Sequence, residues 1–251
     1  MGETMADRAI AGDTASASTS LPESTPLRTN CQHVVCWDGL PSVHPTVAGP
    51  YAPARRIFDL VIAGLALLFA LPLLLLISAL VKLQDGGPAL FGQWRVGYGG
   101  RMFRRWKFRT MVVDAEDRLP TLLEQDPLLR REWEIDHKLE KDPRVTAIGS
   151  FLRASRLDEL PQFFNVLGGE MSVVGPRPIV AAEIGKYDRR FKYYVHVRPG
   201  ITGLWLVEGG NRESYRRRVA SDEIYFRRWN FGLDLAILLG TIRVAIKSER
   251  D

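Results

Sequence analysis

From Leu60 to Val81 the chain runs through 22 residues without a charge, and this stretch dominates its hydrophobic pattern. A straight helix needs about 20 apolar residues to cross a hydrocarbon core, so the run is long enough to span. Pro72 falls near its middle, where it removes a backbone donor and crowds the preceding turn. A kinked spanning helix satisfies this pattern, because membrane helices tolerate proline. A helix–break–helix hairpin that enters one leaflet and returns satisfies it as well. Arg55 and Arg56 precede the run and Lys82 follows it, so the flanking charge shows little asymmetry and lets both ends stay on the cytoplasmic side. Pattern and charge leave both readings standing.

Elsewhere the pattern changes several times. Residues 1 to about 50 are rich in Ala, Ser, Thr and Pro and cannot bury enough apolar surface to offset their ordering entropy, which predicts a disordered tail. Residues 114–142 hold ten acids against five Lys or Arg, with Leu119, Leu122, Leu123, Leu128 and Leu129 spaced for exposed amphipathic helices, and read as an acidic helical insertion. Pro161 is tolerated only in a helix's first turn, so Asp158 is the expected N-cap of a short helix ending at Gly168-Gly169. Asp158 and Glu159 would then lie at the positive end of the helix dipole, beside N–H groups able to hold a phosphate. A capping Asp followed by a first-turn Glu explains the same pair without chemistry. Phe231 to Ile246 is largely apolar around Asp234, a carboxylate that wants an arginine or a metal as partner unless it sits on a helix surface.

Composition narrows the class. The 251 residues are 46% hydrophobic and 25% charged, with a formal net charge of +5, which excludes collagen, a disulfide scaffold and wholesale disorder. The basic excess favours anionic partners such as nucleic acid, lipid headgroups or phosphorylated small molecules. It is concentrated in Arg95, Arg101, Arg104, Arg105, Lys107 and Arg109, interleaved with Phe91, Trp94, Tyr98, Phe103, Trp106 and Phe108. That mixture suits a membrane interface, a nucleic-acid surface, a nucleotide-diphosphate pocket or a plain hairpin with a solvated basic face. Its position beside the apolar run favours the membrane or a phosphate over nucleic acid. Cys31 and Cys36, with His33 and His44, match no paired zinc-ligand spacing and fit a reducing compartment. The phosphate-loop, zinc-protease and serine-hydrolase motifs are missing, and Met102 stands where a dinucleotide fingerprint needs its third glycine.

Five segments in order resemble the bacterial sugar transferases known as monotopic phosphoglycosyl transferases. They are Arg56-Ile57-Phe58-Asp59 with the apolar run, Lys107-Phe108-Arg109-Thr110-Met111, Leu157-Asp158-Glu159-Leu160-Pro161-Gln162, Gly175-Pro176-Arg177-Pro178 and Pro199-Gly200-Ile201-Thr202-Gly203. The resemblance covers about Arg55 to Lys247. It implies an α-rich α+β fold: a re-entrant membrane helix over 51–84, broken at Pro72, and a small cytoplasmic catalytic domain over 85–251 with interfacial amphipathic helices. It also implies a reaction, in which a UDP-sugar gives its sugar-1-phosphate to polyprenyl phosphate and releases UMP, as the first step of exopolysaccharide or O-antigen assembly. By the same resemblance Asp158 is the nucleophile, Asp158 and Glu159 hold Mg²⁺, and Lys107, Arg109, Arg153 and Arg177 contact phosphate or nucleotide, while Asp234 matches an acidic family position. The implied partners are the UDP-sugar, polyprenyl phosphate and the lipids of the bacterial inner membrane, without nucleic acid; a homodimer is left open. Three departures stand out: Arg156 replaces the family's Ser or Thr, Leu206 and Gly210 replace a Gln and an Arg, and Leu71 replaces the small residue before the membrane proline. The lost Gln and Arg make a catalytically impaired assembly scaffold the alternative to an enzyme.

Overall fold

The apolar run folds into one helix, α1 (Pro53–Asp85), in a computed structural model that describes residues 53–136, 139–209 and 214–248. The expected tail, both cysteines and Gly210 lie outside the described residues. α1 corrects the expected helix–break–helix, because Pro72 sits inside it and the helix continues through. Proline removes one donor and leaves the other backbone bonds of the helix in place, and the leucines around it are strong helix formers. Among the described residues α1 alone is long and apolar enough to cross a membrane.

α1 buries one stripe of Arg55, Asp59, Ala63, Leu74, Ile77 and Val81, a helical face that packs on the rest of the chain at both ends. At its start, Arg55 Nη2 donates to Ser172 Oγ at 3.1 Å and to the Tyr225 hydroxyl at 2.6 Å, and Arg55 Nε lies 3.3 Å from Asp234 Oδ2. Arg56 donates to the carbonyls of Val166 and Leu167 at 2.6 and 2.8 Å. At its far end, Arg109 grips Asp85 with two bonds of 2.7 and 2.5 Å. The opposite face is bare and apolar, with Phe69 78% and Leu83 82% exposed.

Next comes an antiparallel hairpin, β1 (Leu90–Val96) and β2 (Met102–Phe108), turned at Gly97–Arg101 with Gly99 at φ 64°. The acidic insertion forms α2 (Ala115–Gln125) and α3 (Pro127–Asp136), as its pattern predicts. α4 (Ala147–Ser155) is capped by Thr146, whose hydroxyl accepts the Gly149 N–H at 2.9 Å. Gly149 packs directly on β2's exit: a Cβ there would lie 1.9 Å from the Thr110 carbonyl oxygen. α5 (Gln162–Gly168) ends at Gly169, whose φ of 80° is the left-handed cap that the Gly-Gly pair predicts.

Two short parallel strands, β3 (Ser172–Val174) and β4 (Gly200–Thr202), join the two Pro/Gly-punctuated turns. Their glycines allow backbone-to-backbone contact, since a Cβ on Gly200 would fall 2.1 Å from the Gly175 nitrogen. α6 (Phe191–Val195), α7 (Leu204–Val207), α8 (Tyr215–Arg228) and α9 (Phe231–Ser248) complete the fold. One core gathers Ala63, Val166, Met171, Val173, Val174, Tyr225 and Ile237; a second, rich in aromatics, gathers Tyr187, Phe191 and Tyr194 around Val96 and Ile179. α9 leaves Phe231, Leu235, Leu239 and Ile242 exposed along one face, and Phe58 meets Phe231 edge-on at 5.2 Å, joining that face to α1. Among the described residues the fold is α-rich, as expected, with two small sheets.

Candidate active site

Leu157, Asp158 and Glu159 form a single 3-10 turn between α4 and α5, entered through Arg156 in the left-handed conformation at φ 56°. This corrects the expected cap. α5 starts after Pro161, and Asp158 makes no capping bond to it. Its carboxylate is thereby left for another partner, and β2 supplies one. Lys107 Nζ lies 2.9 Å from Asp158 Oδ2 and 2.7 Å from Glu159 Oε1, so two adjacent carboxylates converge on one cation. Asp158 is buried and Glu159 half-buried. Burial raises the Glu159 pKa, but the charge and hydrogen bond of Lys107, with Arg105 and Arg156 behind it, outweigh burial and hold it below the usual carboxylate range. The Arg156 that departs from the family pattern thus adds a cation beside the dyad.

The other expected binders divide. Arg153, on the last turn of α4, donates Nε to Thr110 Oγ1 at 2.9 Å and is otherwise exposed. Arg177 stands half-buried in the rigid Gly175–Pro178 loop, where its charge reaches Arg95 and Arg105. The Arg177 N–H bonds the Asp222 carboxylate, which also accepts the Tyr187 hydroxyl at 2.6 Å. Arg109 does not join them. Its guanidinium is buried and bonded to Asp85, to the Pro88 carbonyl at 2.7 Å and to the Val81 carbonyl at 3.5 Å, which makes it a strut between β2 and α1. Asp234 is likewise engaged away from the dyad. It is 1% exposed, pairs with Arg55 and accepts the Tyr225 hydroxyl at 2.6 Å and the Trp229 indole N–H at 3.0 Å. Of the two partners that a carboxylate in an apolar run wants, it has the arginine. Pro72 lies exposed on α1, in the bare apolar face.

Two cations on the strand face that carries Lys107 went unassigned in the sequence. Arg105 on β2 has Asp158 and Glu159 within electrostatic reach, and Arg95 on β1 is buried next to Arg105. Period-two alternation was the available signal, because Arg105 and Lys107 are two residues apart on one strand and therefore share a face.

Residues 51–248 match the family model described as bacterial sugar transferase. The chain belongs to that family. This bacterial sugar transferase is 46% identical over 195 residues to the undecaprenyl-phosphate galactose phosphotransferase of Salmonella typhimurium, covering 78% of the chain and 41% of that protein. It is 47% identical over 189 residues to the exopolysaccharide production protein ExoY of Rhizobium meliloti, covering 75% of the chain and 84% of that protein. It is 38% identical over 196 residues to the UDP-glucose:undecaprenyl-phosphate glucose-1-phosphate transferase of Klebsiella pneumoniae, covering 75% of the chain and 39% of that protein. The chain thus spans about two-fifths of the Salmonella and Klebsiella proteins and most of ExoY.

Proposed function

We propose that this bacterial sugar transferase moves a hexose-1-phosphate from a UDP-sugar to undecaprenyl phosphate, releasing UMP and starting the assembly of an exopolysaccharide or related glycan. The observation that carries this reading is the Asp158-Glu159 pair gathered on Lys107, with Arg105 and Arg156 around it. A carboxylate beside cations is suited to attack a phosphorus whose oxygens those cations neutralise. Asp158 Oδ attacks the β-phosphorus, the phosphoanhydride bond breaks, and UMP leaves with that electron pair. The aspartyl phosphosugar is then attacked at the same phosphorus by a phosphate oxygen of the lipid, which returns Asp158 as a carboxylate. Lys107, Arg153 and Arg177 hold the phosphates through this exchange. The names of the Salmonella and Klebsiella relatives support the lipid acceptor, and that of the Klebsiella relative supports the donor.

Asp158 and Glu159 would hold Mg²⁺. Their oxygens already converge on one cationic centre, and a hard donor set of two carboxylates completed by substrate phosphates is what this ion takes. When bound, it supplies positive charge to the diphosphate. α1 would lay its bare apolar face in the cytoplasmic leaflet of the bacterial inner membrane without crossing it, with α9 lying at the interface and the dyad at headgroup level. What supports this is the tethering of both ends of α1 to one folded body, by Arg55 to Asp234 and by Arg109 to Asp85, beneath a bare apolar face.

The test is a screen of UDP-sugars with undecaprenyl phosphate and Mg²⁺, reading the nucleotide released. UMP is expected, with a phosphosugar adduct on the protein when lipid is withheld and none in Asp158→Asn. Stoichiometric UDP, or an adduct that survives in Asp158→Asn, overturns the mechanism.

A further inference from the structure

The β1–β2 register sets Phe91 opposite Lys107, Gln93 opposite Arg105 and Arg95 opposite Phe103. Opposed residues share a face of an antiparallel pair, as do residues two apart, so Lys107, Arg105, Gln93 and Arg95 form one row. Its first member, Lys107, touches both dyad carboxylates. Farther along, Gln93 Oε1 accepts from Arg95 Nη2 at 2.6 Å and from Arg105 Nη2 at 3.3 Å, bracing two guanidiniums side by side. A bridge from the Val96 N–H to the Ile179 carbonyl, 2.9 Å, brings the Gly175–Pro178 loop to this end, and with it Arg177.

This arrangement is costly as it stands. Arg95 is 9% exposed, and the Nε atoms of both Arg95 and Arg105 are buried without a hydrogen-bond partner among the described residues. Burial, with Arg105 and Arg177 close by, pushes the Arg95 pKa down to about 10. Glu183, whose charge also reaches Arg95, already accepts the Val180 N–H at 2.9 Å. Buried guanidinium N–H groups without acceptors, in a cluster of like charges, are satisfied by an anion with several oxygens. Alternating residues on a strand stand about 7 Å apart, a step that long basic side chains bridge onto neighbouring phosphates.

We propose that Arg105 and Arg95, braced by Gln93, form a track for the donor's diphosphate that begins at the dyad and carries its nucleoside end to Arg95. This rests on the transfer reaction proposed above and assigns that reaction's donor site to residues outside the motifs. Lys107 and Arg105 serve the phosphate that Asp158 attacks, and Arg105 and Arg95 serve the phosphate that leaves with the nucleoside.

The test is binding without turnover. Purified full-length protein in detergent is titrated calorimetrically with UDP, with inorganic pyrophosphate and with undecaprenyl phosphate in mixed micelles. Arg105→Gln is expected to weaken UDP and pyrophosphate by about tenfold and undecaprenyl phosphate, which presents a single phosphate, by less. Should that variant fail to fold, Arg105→Lys, which keeps the charge and loses the planar fork, is expected to weaken the same two probes by about threefold. Unchanged UDP and pyrophosphate affinity overturns the track, and so does a loss confined to undecaprenyl phosphate. Because no probe needs to react, the track stands or falls even where the transfer assay yields no UMP.

Discussion

The ammonium of Lys107 lies 2.9 Å from Oδ2 of Asp158, closing the dyad with a single positive charge shared between two carboxylates. Burial alone raises the Glu159 pKa, and Lys107 is the first of the charges that hold it low. Lys107→Met leaves burial to act with less opposition, so Glu159 takes up a proton at higher pH. The acid limb of kcat/KM for the donor against pH is expected to move upward. A profile that falls in height without moving would show that Lys107 does not set the ionisation of the pair.

Arg109 is expected to matter for stability rather than for the donor. Removing it strands Asp85 and cuts the tie between β2 and the end of α1. Arg109→Met should cost about 1–3 kcal/mol, the scale for losing charge-assisted hydrogen bonds of a buried guanidinium to a partner that stays partly in water. Thermal unfolding in detergent measures this, and UDP affinity at a temperature where the variant remains folded should match the parent.

Asp222 gives the fold a pH dependence. Burial pushes its carboxyl up to about 7, against the Tyr187 hydroxyl and the charges of Arg177 and Arg218. Between about pH 4 and 7 the folded protein therefore keeps a proton that the unfolded chain releases, and stability falls as pH rises through that window. Asp222→Asn retains an acceptor for Tyr187 and removes the titration. The fall in Tm from pH 4.5 to pH 7.5 should be steeper in the parent than in Asp222→Asn; equal slopes would remove Asp222 from the account.

Cys31 and Cys36 are the two cysteines of the chain and report the side on which its N-terminal stretch lies. Both ends of α1 are tied to one body, so an impermeant thiol reagent should leave intact spheroplasts unlabelled and react after permeabilisation. Labelling of intact spheroplasts would mean that the segment crosses the membrane. Arg55→Met, which removes the charge facing Asp234, tests the tether itself and is expected to lower Tm.

The local devices were legible because each depends on neighbours in sequence. The long apolar run made a helix, the acidic stretch made α2 and α3, and Gly168-Gly169 ended α5 where a left-handed residue was needed. The ordered motifs around Lys107, Asp158 and Arg177 named the family, because a particular order of short segments is a property of the sequence alone. What the sequence could not decide was the partner of each charge. Arg109 and Asp234 share motifs or family positions with the site, yet their guanidinium and carboxylate are consumed by Asp85 and Arg55, far away in the chain. Arg95 and Arg105 sit ten residues apart in a basic run that could have faced water, and only strand register places them together on the face that carries Lys107. Even Asp158, the expected cap, was released to Lys107 because the chain enters the turn through a left-handed Arg156. A charge is a short-range demand for a counter-charge, and which groups meet that demand is settled by how distant segments pack.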